Sequence, residues 1–370
     1  MRHNNSPNRG LTSQRERLNH DAACGDGGIG RRTRFRCERC KAWVFESPSP
    51  HHFSRNQQPG FAGHFFWWLM NILVTGGTGF LGRWIVRRLV ADGHAVTVVS
   101  RNPVSRGVEG CSYVTWGGLP VAEISLSADT VVHLAGDAVF PGRWTSEKKI
   151  ELLNSRVQTL RGVLEVLRRR GAPLRTVISA SAIGFYGNAG SSLVDENAPR
   201  GPGFLADLVE SWERCALVES RNIFSDVRAV SLRFGIILHP SGGVLKRLWP
   251  LFSCGLGGKL GAGLQYMSWI HLDDAVESVL FVLNNSVASG VWNVVSPCAA
   301  TNAEFTKVLA DTLRRPAFFA VPAWVLRTIF GEGACVVLEG QNVVPTKLLD
   351  AGFRFRYSKL ADALRRQGVL

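Results

Sequence analysis

Three glycines, Gly76, Gly79 and Gly82, stand at the spacing G-x-x-G-x-x-G directly after a short apolar run. A strand, then a glycine turn, then a helix suits a phosphate cradle. The first glycine turns the chain tightly out of the strand. The second lets a pyrophosphate approach the backbone, and the third lets the helix pack closely on the strand. The helix then offers free N–H groups and its positive dipole end to the phosphates. A glycine-rich surface turn is the plain alternative, and the flanking strand and helix weigh against it. About 20 residues on, an NAD site places an acidic residue against the ribose hydroxyl. Here the chain has Ser100 and Arg101. A hydroxyl and a cation suit the extra phosphate of NADP, and a charge-assisted hydrogen bond of about 1.5–3 kcal/mol gives roughly ten- to hundredfold preference. A solvated loop arginine is the competing reading of Arg101. The expected cofactor is NADP.

The elements that must hold these residues alternate. Apolar, β-branched runs predict strands over 71–75, 95–99, 130–134, 173–181 and 227–234. Helical spacing of apolar residues predicts helices over 80–91, 146–170 and 204–218. The strand at 130–134 runs into Leu134, Ala135 and Gly136, small enough for cofactor riboses to lie against backbone. This rhythm means an α/β fold with a doubly wound parallel sheet, a Rossmann fold. A small helical, substrate-side subdomain follows, with helices over 301–313, 323–330, 345–351 and 358–367. The chain therefore divides into residues 1–69, a nucleotide-binding domain over 70–300 and a C-terminal domain over 301–370.

Residues 1–69 are rich in Arg, Asn, Ser, Gly and Pro and show no sustained period. They are expected to be a disordered extension, or an over-extended reading frame with Met70 as the natural start. Cys37 and Cys40 have zinc-knuckle spacing with His51 and His52 downstream, but no second C-x-x-C completes a tetrahedral set, so no metal is expected.

The formal net charge of +14 raises nucleic-acid binding, yet much of the excess is arginine within the first 69 residues and the rest is dispersed. The charge reads as solvated surface, with no specific nucleic-acid partner. No run approaches the roughly 20 apolar residues of a membrane span, and no membrane partner is expected. Eight cysteines, scattered singly outside the Cys37/Cys40 pair, match a reducing cytosol and a cytoplasmic location.

The segments TGGTGFLG, VSR, HLAG, SASAIGFYG, LRFGIIL and WIHLDDA together resemble extended short-chain dehydrogenases/reductases. Within that superfamily the chain is similar to the atypical, NAD(P)-dependent epimerase/dehydratase-like branch of epimerase family proteins. The resemblance covers 70–370, including a C-terminal family domain of unassigned function signalled by Ala300–Phe305 and by 338–345. It implies that Gly76, Gly79, Phe80, Leu81, Ser100, Arg101, Leu134, Ala135, Glu151 and Arg156 line an NADP site, with Ile237 closing over it.

The chain departs from the superfamily in its reactive pair. Active members set a Tyr-x-x-x-Lys on the helix after a strand-end serine, and the lysine tunes the phenol for proton exchange. Tyr113, Tyr186, Tyr266 and Tyr357 are followed four residues on by Gly117, Gly190, Ile270 and Ala361, so no such pair exists. Ser181 and Tyr186 remain as proton-handling groups at the strand end facing the nicotinamide. Ser181 is expected to donate to a substrate oxygen; Tyr186 is either catalytic or an aromatic wall. His271 reads as structural, beside a helix start at Asp273. The glycine-rich stretch 241–266 reads as a substrate lid or a plain mobile loop, with Lys259 placed to meet an anion. Two functions follow: an NADP-dependent oxidoreductase or epimerase acting on a small molecule, or a dinucleotide-bound sensor or scaffold without turnover.

Overall fold

Residues 69–101, 107–116 and 126–365 are described by a computed structural model. The Cys37/Cys40 pair and the other features of 1–68 lie outside the described residues. Numbering the strands of the main sheet alone, they are β1 (Asn71–Thr75), β2 (Ala95–Ser100), β3 (Ser112–Thr115) and β4 (Thr130–His133). β5 (Thr176–Ala182), β6 (Arg228–Phe234) and β7 (Gly290–Val294) complete it. All seven are parallel, in the order β3-β2-β1-β4-β5-β6-β7. The order reverses between β1 and β4, which opens a crevice beyond their carboxyl ends, the ligand position of doubly wound sheets.

The central strands are apolar because helices cover both faces of the sheet. One layer of core gathers Ile72, Val74, Ile85, Leu89 and Ile270. The other gathers Leu73, Val131, Leu160, Leu164 and Val177. Alternate residues of β1 thus enter opposite layers, as the two-residue strand period requires.

The main helices are α1 (Gly82–Ala91), α2 (Ser146–Arg169) and α3 (Phe204–Arg214). They continue with α4 (Gly243–Ser253), α5 (Leu272–Asn284), α6 (Asn302–Leu313) and α7 (Ala323–Phe330). Thr145 caps α2 by accepting from the Lys148 N–H, and Thr301 with Glu304 forms a capping box on α6. The expected helix over 204–218 starts as predicted but widens into a π turn at Cys215–Glu219. The stretch read as a lid or loop instead contains α4, whose Leu245 and Phe252 are buried. Two sheet strands, β3 and β7, escaped the sequence reading, being short or interrupted by Gly290 and Asn293.

The described residues form one compact unit. The C-terminal helices share a core with earlier segments: Leu238, Leu245 and Trp269 pack with Phe305, Leu309, Tyr357 and Leu360. The buried Asp274 carboxylate ties the tail down by accepting from the N–H groups of Arg356 and Tyr357, each at 2.9 Å. His271 caps α5, its Nδ1 accepting from the Asp273 N–H at 3.1 Å, which is the structural role read for it.

Candidate functional site

The glycine turn sits at the switch point. Gly76 has φ +70, and a Cβ there would lie 2.6 Å from the Leu134 carbonyl and 2.7 Å from the Ala135 nitrogen. The residue's smallness is therefore demanded by the neighbouring strand end. A Cβ on Gly82 would meet the Gly76 oxygen at 2.2 Å, so the third glycine admits the helix to the turn. Gly79 differs: beyond its chain neighbours, its added Cβ would meet only the Gly76 oxygen, at 3.0 Å, with no other atom within 4 Å. Leu81, the residue capping α1, supplies no side-chain acceptor, and the first turn of α1 has no carboxylate. The positive end of the helix thus faces outward without a competing anion, and the turn fits a pyrophosphate.

Around this turn the structure brings together most residues expected at the nucleotide. Phe80, Leu81, Leu134 and Ile237 pack on one core layer. The Phe80 ring fills the space that a Cβ on Gly242 would occupy at 2.1 Å, so Gly242 seats the phenyl ring beside the turn. Beyond Ser100, at the end of β2, Arg101 extends into solvent with its side chain 82% exposed. Its Nη2 lies 3.2 Å from Asp137 Oδ1 across an open pocket of about 530 Å³ bordered also by Glu151, Asn154 and Ser155. Glu151 is held by Lys148 at 2.9 Å.

Arg156 is placed more deeply than the resemblance implies. Its guanidinium lies beneath Gly136, donating to the carbonyls of Leu152 and Asp137 at 2.9 Å each. It also stacks 5.1 Å from the Trp212 ring centroid. Burial pulls its pKa down to about 10. It supports the Gly136–Asp137 backbone from below. The Trp212 ring also packs nearly perpendicular to His133, whose Nδ1 is 2.7 Å from Thr75 Oγ1. Complete burial drops the His133 pKa to about 3 and keeps the imidazole neutral.

The second half of the site lies at the carboxyl ends of β5, β6 and β7. Register places Ser181 beside Arg233, and Arg233 beside Asn293. Ser181 Oγ donates to Glu213 Oε1 at 2.6 Å. Arg233 grips both oxygens of Glu213, through Nε and Nη2, each at 2.7 Å. Its Nη1 donates to the Tyr186 oxygen at 2.9 Å, and the Tyr186 hydroxyl donates to Asn293 Oδ1 at 2.7 Å. The Arg233 guanidinium also stands 3.5 Å from the Phe185 ring centroid. Asn293 Nδ2 continues to the Val344 carbonyl, and its N–H reaches Glu196 Oε1, each at 3.0 Å. Burial pushes the Tyr186 phenol above its ordinary range, and Arg233 and Asn293 only partly offset this.

The expected proton-handling pair is therefore brought together, but within one buried chain of hydrogen bonds. Ser181 and Tyr186 are each only 3% exposed. The Ser181 hydroxyl, read from sequence as a donor to substrate, gives its proton to Glu213. The sequence reading missed Glu213, and it passed over Arg233 and Asn293 as site residues. Each leaves a signal: Glu213 interrupts the apolar stripe Leu208, Val209, Trp212 of α3, and Arg233 and Asn293 interrupt buried strands. Among the described residues no cluster of His, Cys, Asp and Glu is arranged to hold a metal ion, and no helix is long and apolar enough to cross a membrane.

A parallel sheet ordered about β1 and β4, with a glycine turn at the crevice, defines a dinucleotide-binding α/β protein. Residues 72–206 match the model of the NAD dependent epimerase/dehydratase family, and residues 321–367 match a domain of unknown function, DUF1731. The chain is 37% identical over 304 residues to the chloroplastic epimerase family protein SDR39U1 homolog of Arabidopsis thaliana, covering 80% of this chain and 86% of that one. It is 34% identical to the epimerase family protein YfhF of Bacillus subtilis, covering 80% of this chain and 97% of that one. The crystal structure of human epimerase family protein SDR39U1 with NADPH matches with a TM-score of 0.73 and 33% identity, over 80% of this chain and 98% of that one. The chain belongs to the epimerase family proteins, an atypical extended branch of the short-chain dehydrogenases/reductases, with NAD(P) binding as the family's common property.

Proposed function

We propose that this protein binds NADP(H) across the β1–β4 switch point and acts as an oxidoreductase or epimerase on a small-molecule substrate. The observation that supports the choice of cofactor is Arg101: β2 ends without a carboxylate, and the guanidinium borders an open pocket together with Asp137, Glu151 and Asn154. A 2′-phosphate there meets a cation where NAD would need an acceptor. The NADPH in the human relative agrees with this reading. Gly76, Gly79 and Gly82 with the start of α1 would hold the pyrophosphate. Phe80, Leu134, Ala135, Gly136 and Ile237 would flank the rest of the dinucleotide, in a cytoplasmic protein.

When bound, the nicotinamide supplies or accepts hydride. The protein's part is to orient the substrate and handle its proton. Ser181 and Tyr186 are the residues proposed for it. Because Ser181 donates to Glu213, it would offer lone pairs to a substrate hydroxyl. Tyr186 has the Arg233 guanidinium at its oxygen, a cation in the role that lysine takes in active members of the wider superfamily.

A second reading, an NADP(H)-bound sensor or scaffold without turnover, is favoured by the burial of both hydroxyls and their full use inside the protein. NADPH oxidation and NADP⁺ reduction over panels of carbonyls, alcohols and sugar nucleotides separate the two. Turnover lost in Ser181→Ala and Tyr186→Phe establishes the enzyme. Tight NADPH binding with no turnover on any panel member establishes the sensor.

A further inference from the structure

Far along the chain from the nucleotide turn, the C-terminal subdomain has an edge of unusual chemistry. Residues 255–261 run beside 316–321: the Phe319 N–H donates to the Gly257 carbonyl, and the Val321 N–H to the Lys259 carbonyl. A Cβ on Gly258 would lie 1.4 Å from the Phe319 oxygen, so the two backbones touch. This pairing sets Leu256 and the consecutive Phe318 and Phe319 on adjoining segments, with Trp324 following in the first turn of α7. Phe318 is 84% exposed and Trp324 69%. Single exposed apolar residues need no explanation, but several large ones on two paired segments and the helix that follows do.

Phe318 also borders a surface hollow of about 340 Å³, lined by Lys259, Lys307 and Arg315, with Asp311 as the one carboxylate in its wall. No ion pair within the described residues engages the three cations. The preceding stretch 241–270 contains no Asp or Glu but includes Lys246, Arg247 and Lys259.

We propose that this edge is a docking surface for an anionic phospholipid membrane, with a lipid phosphate in the hollow and Phe318, Phe319 and Trp324 entering the headgroup boundary. Basic residues around protruding aromatics match that interface in charge and polarity. An exposed aliphatic side chain, Leu256, on the paired segment favours hydrocarbon over a nucleic-acid strand. A two-fold dimer through this edge would set the cations of one copy against those of the other. The proposal revises two readings, of the charge as solvated surface and of no membrane partner, and it stands independently of the reaction at the strand ends.

The test is sedimentation of the full-length protein, loaded with NADPH, with vesicles of phosphatidylcholine alone or mixed with phosphatidylglycerol. Binding to the mixed vesicles alone, weakening with salt, is expected. The variant Lys259→Gln/Lys307→Gln/Arg315→Gln should lose roughly a hundredfold in vesicle affinity. Phe318→Ser/Phe319→Ser/Trp324→Ser should lose at least about tenfold. Both variants should keep wild-type NADPH affinity, which shows that they fold. Equal binding by wild type and variants, or no binding to mixed vesicles, overturns the proposal. Full displacement by soluble glycerol phosphate, tighter binding of a single-stranded oligonucleotide, or a dimer abolished by the aromatic variant would also overturn it.

Discussion

Ser181 Oγ donates to Glu213 Oε1 at 2.6 Å, and both oxygens of that carboxylate are gripped by Arg233. A strand-end serine is thus joined to a buried ion pair. Removing one member of such a pair strands the other charge away from water, at about 3–5 kcal/mol. Glu213→Ala should therefore destabilise the fold by about that amount, while Ser181→Ala, which leaves the pair intact, should cost only about 1–3 kcal/mol. Urea unfolding of the two variants checks the order. Equal losses would mean that the ion pair is not held as described.

Tyr186 ends the same network, and burial raises its pKa above the ordinary phenol value. The folded value then exceeds the unfolded one. The stabilisation is complete below about pH 10 and is lost as pH rises through the folded value. Absorbance titration should show Tyr186 ionising above that pH, with the late component absent from Tyr186→Phe. A phenol titrating well below pH 10 would instead mean that Arg233 outweighs burial and acts as the missing lysine would.

His133 behaves in the opposite sense. Its folded pKa of about 3 lies below the unfolded value. The stabilisation is present above roughly pH 6.5 and declines as pH falls toward about 3, by on the order of 5 kcal/mol across the window. His133→Asn should flatten the fall in urea midpoint between pH 7 and pH 4. An unchanged slope would place the acid sensitivity elsewhere.

Two glycines of the turn separate folding from binding. Gly82→Ala puts a Cβ 2.2 Å from the Gly76 oxygen, so both stability and cofactor affinity should fall, stability by about 1–3 kcal/mol. Gly79→Ala meets protein only at the Gly76 oxygen, at 3.0 Å, so it should lose less melting temperature than Gly82→Ala while losing NADPH affinity. Thermal melts with and without NADPH measure both. Wild-type affinity in Gly79→Ala would move the pyrophosphate off this turn.

Much of this arrangement is legible in the sequence where a local pattern and the fold demand the same residue. Strand β1 and helix α7 match their expected bounds, since continuous apolar runs bounded by turn residues leave no competing period. The glycine spacing marks the crevice because backbone contact alone decides those positions. Helix α4 was hidden by Gly242, Gly243 and the internal Pro250, which read as loop until the Phe80 ring and the α6 core are in place around them. The Glu213–Arg233 pair was hidden for another reason. Its members are 20 residues apart, and only the register of β5 against β6 sets Arg233 beside Ser181.

The central claim is that the glycine turn and Arg101 together select NADP(H). Calorimetric titration of the wild-type protein and Arg101→Ala with NADPH and NADH tests it most directly. Tighter binding of NADPH than NADH by wild type, with a loss of roughly ten- to hundredfold for NADPH and little change for NADH in Arg101→Ala, is the predicted result. Equal losses for the two cofactors, or equal affinities in the wild type, would contradict it.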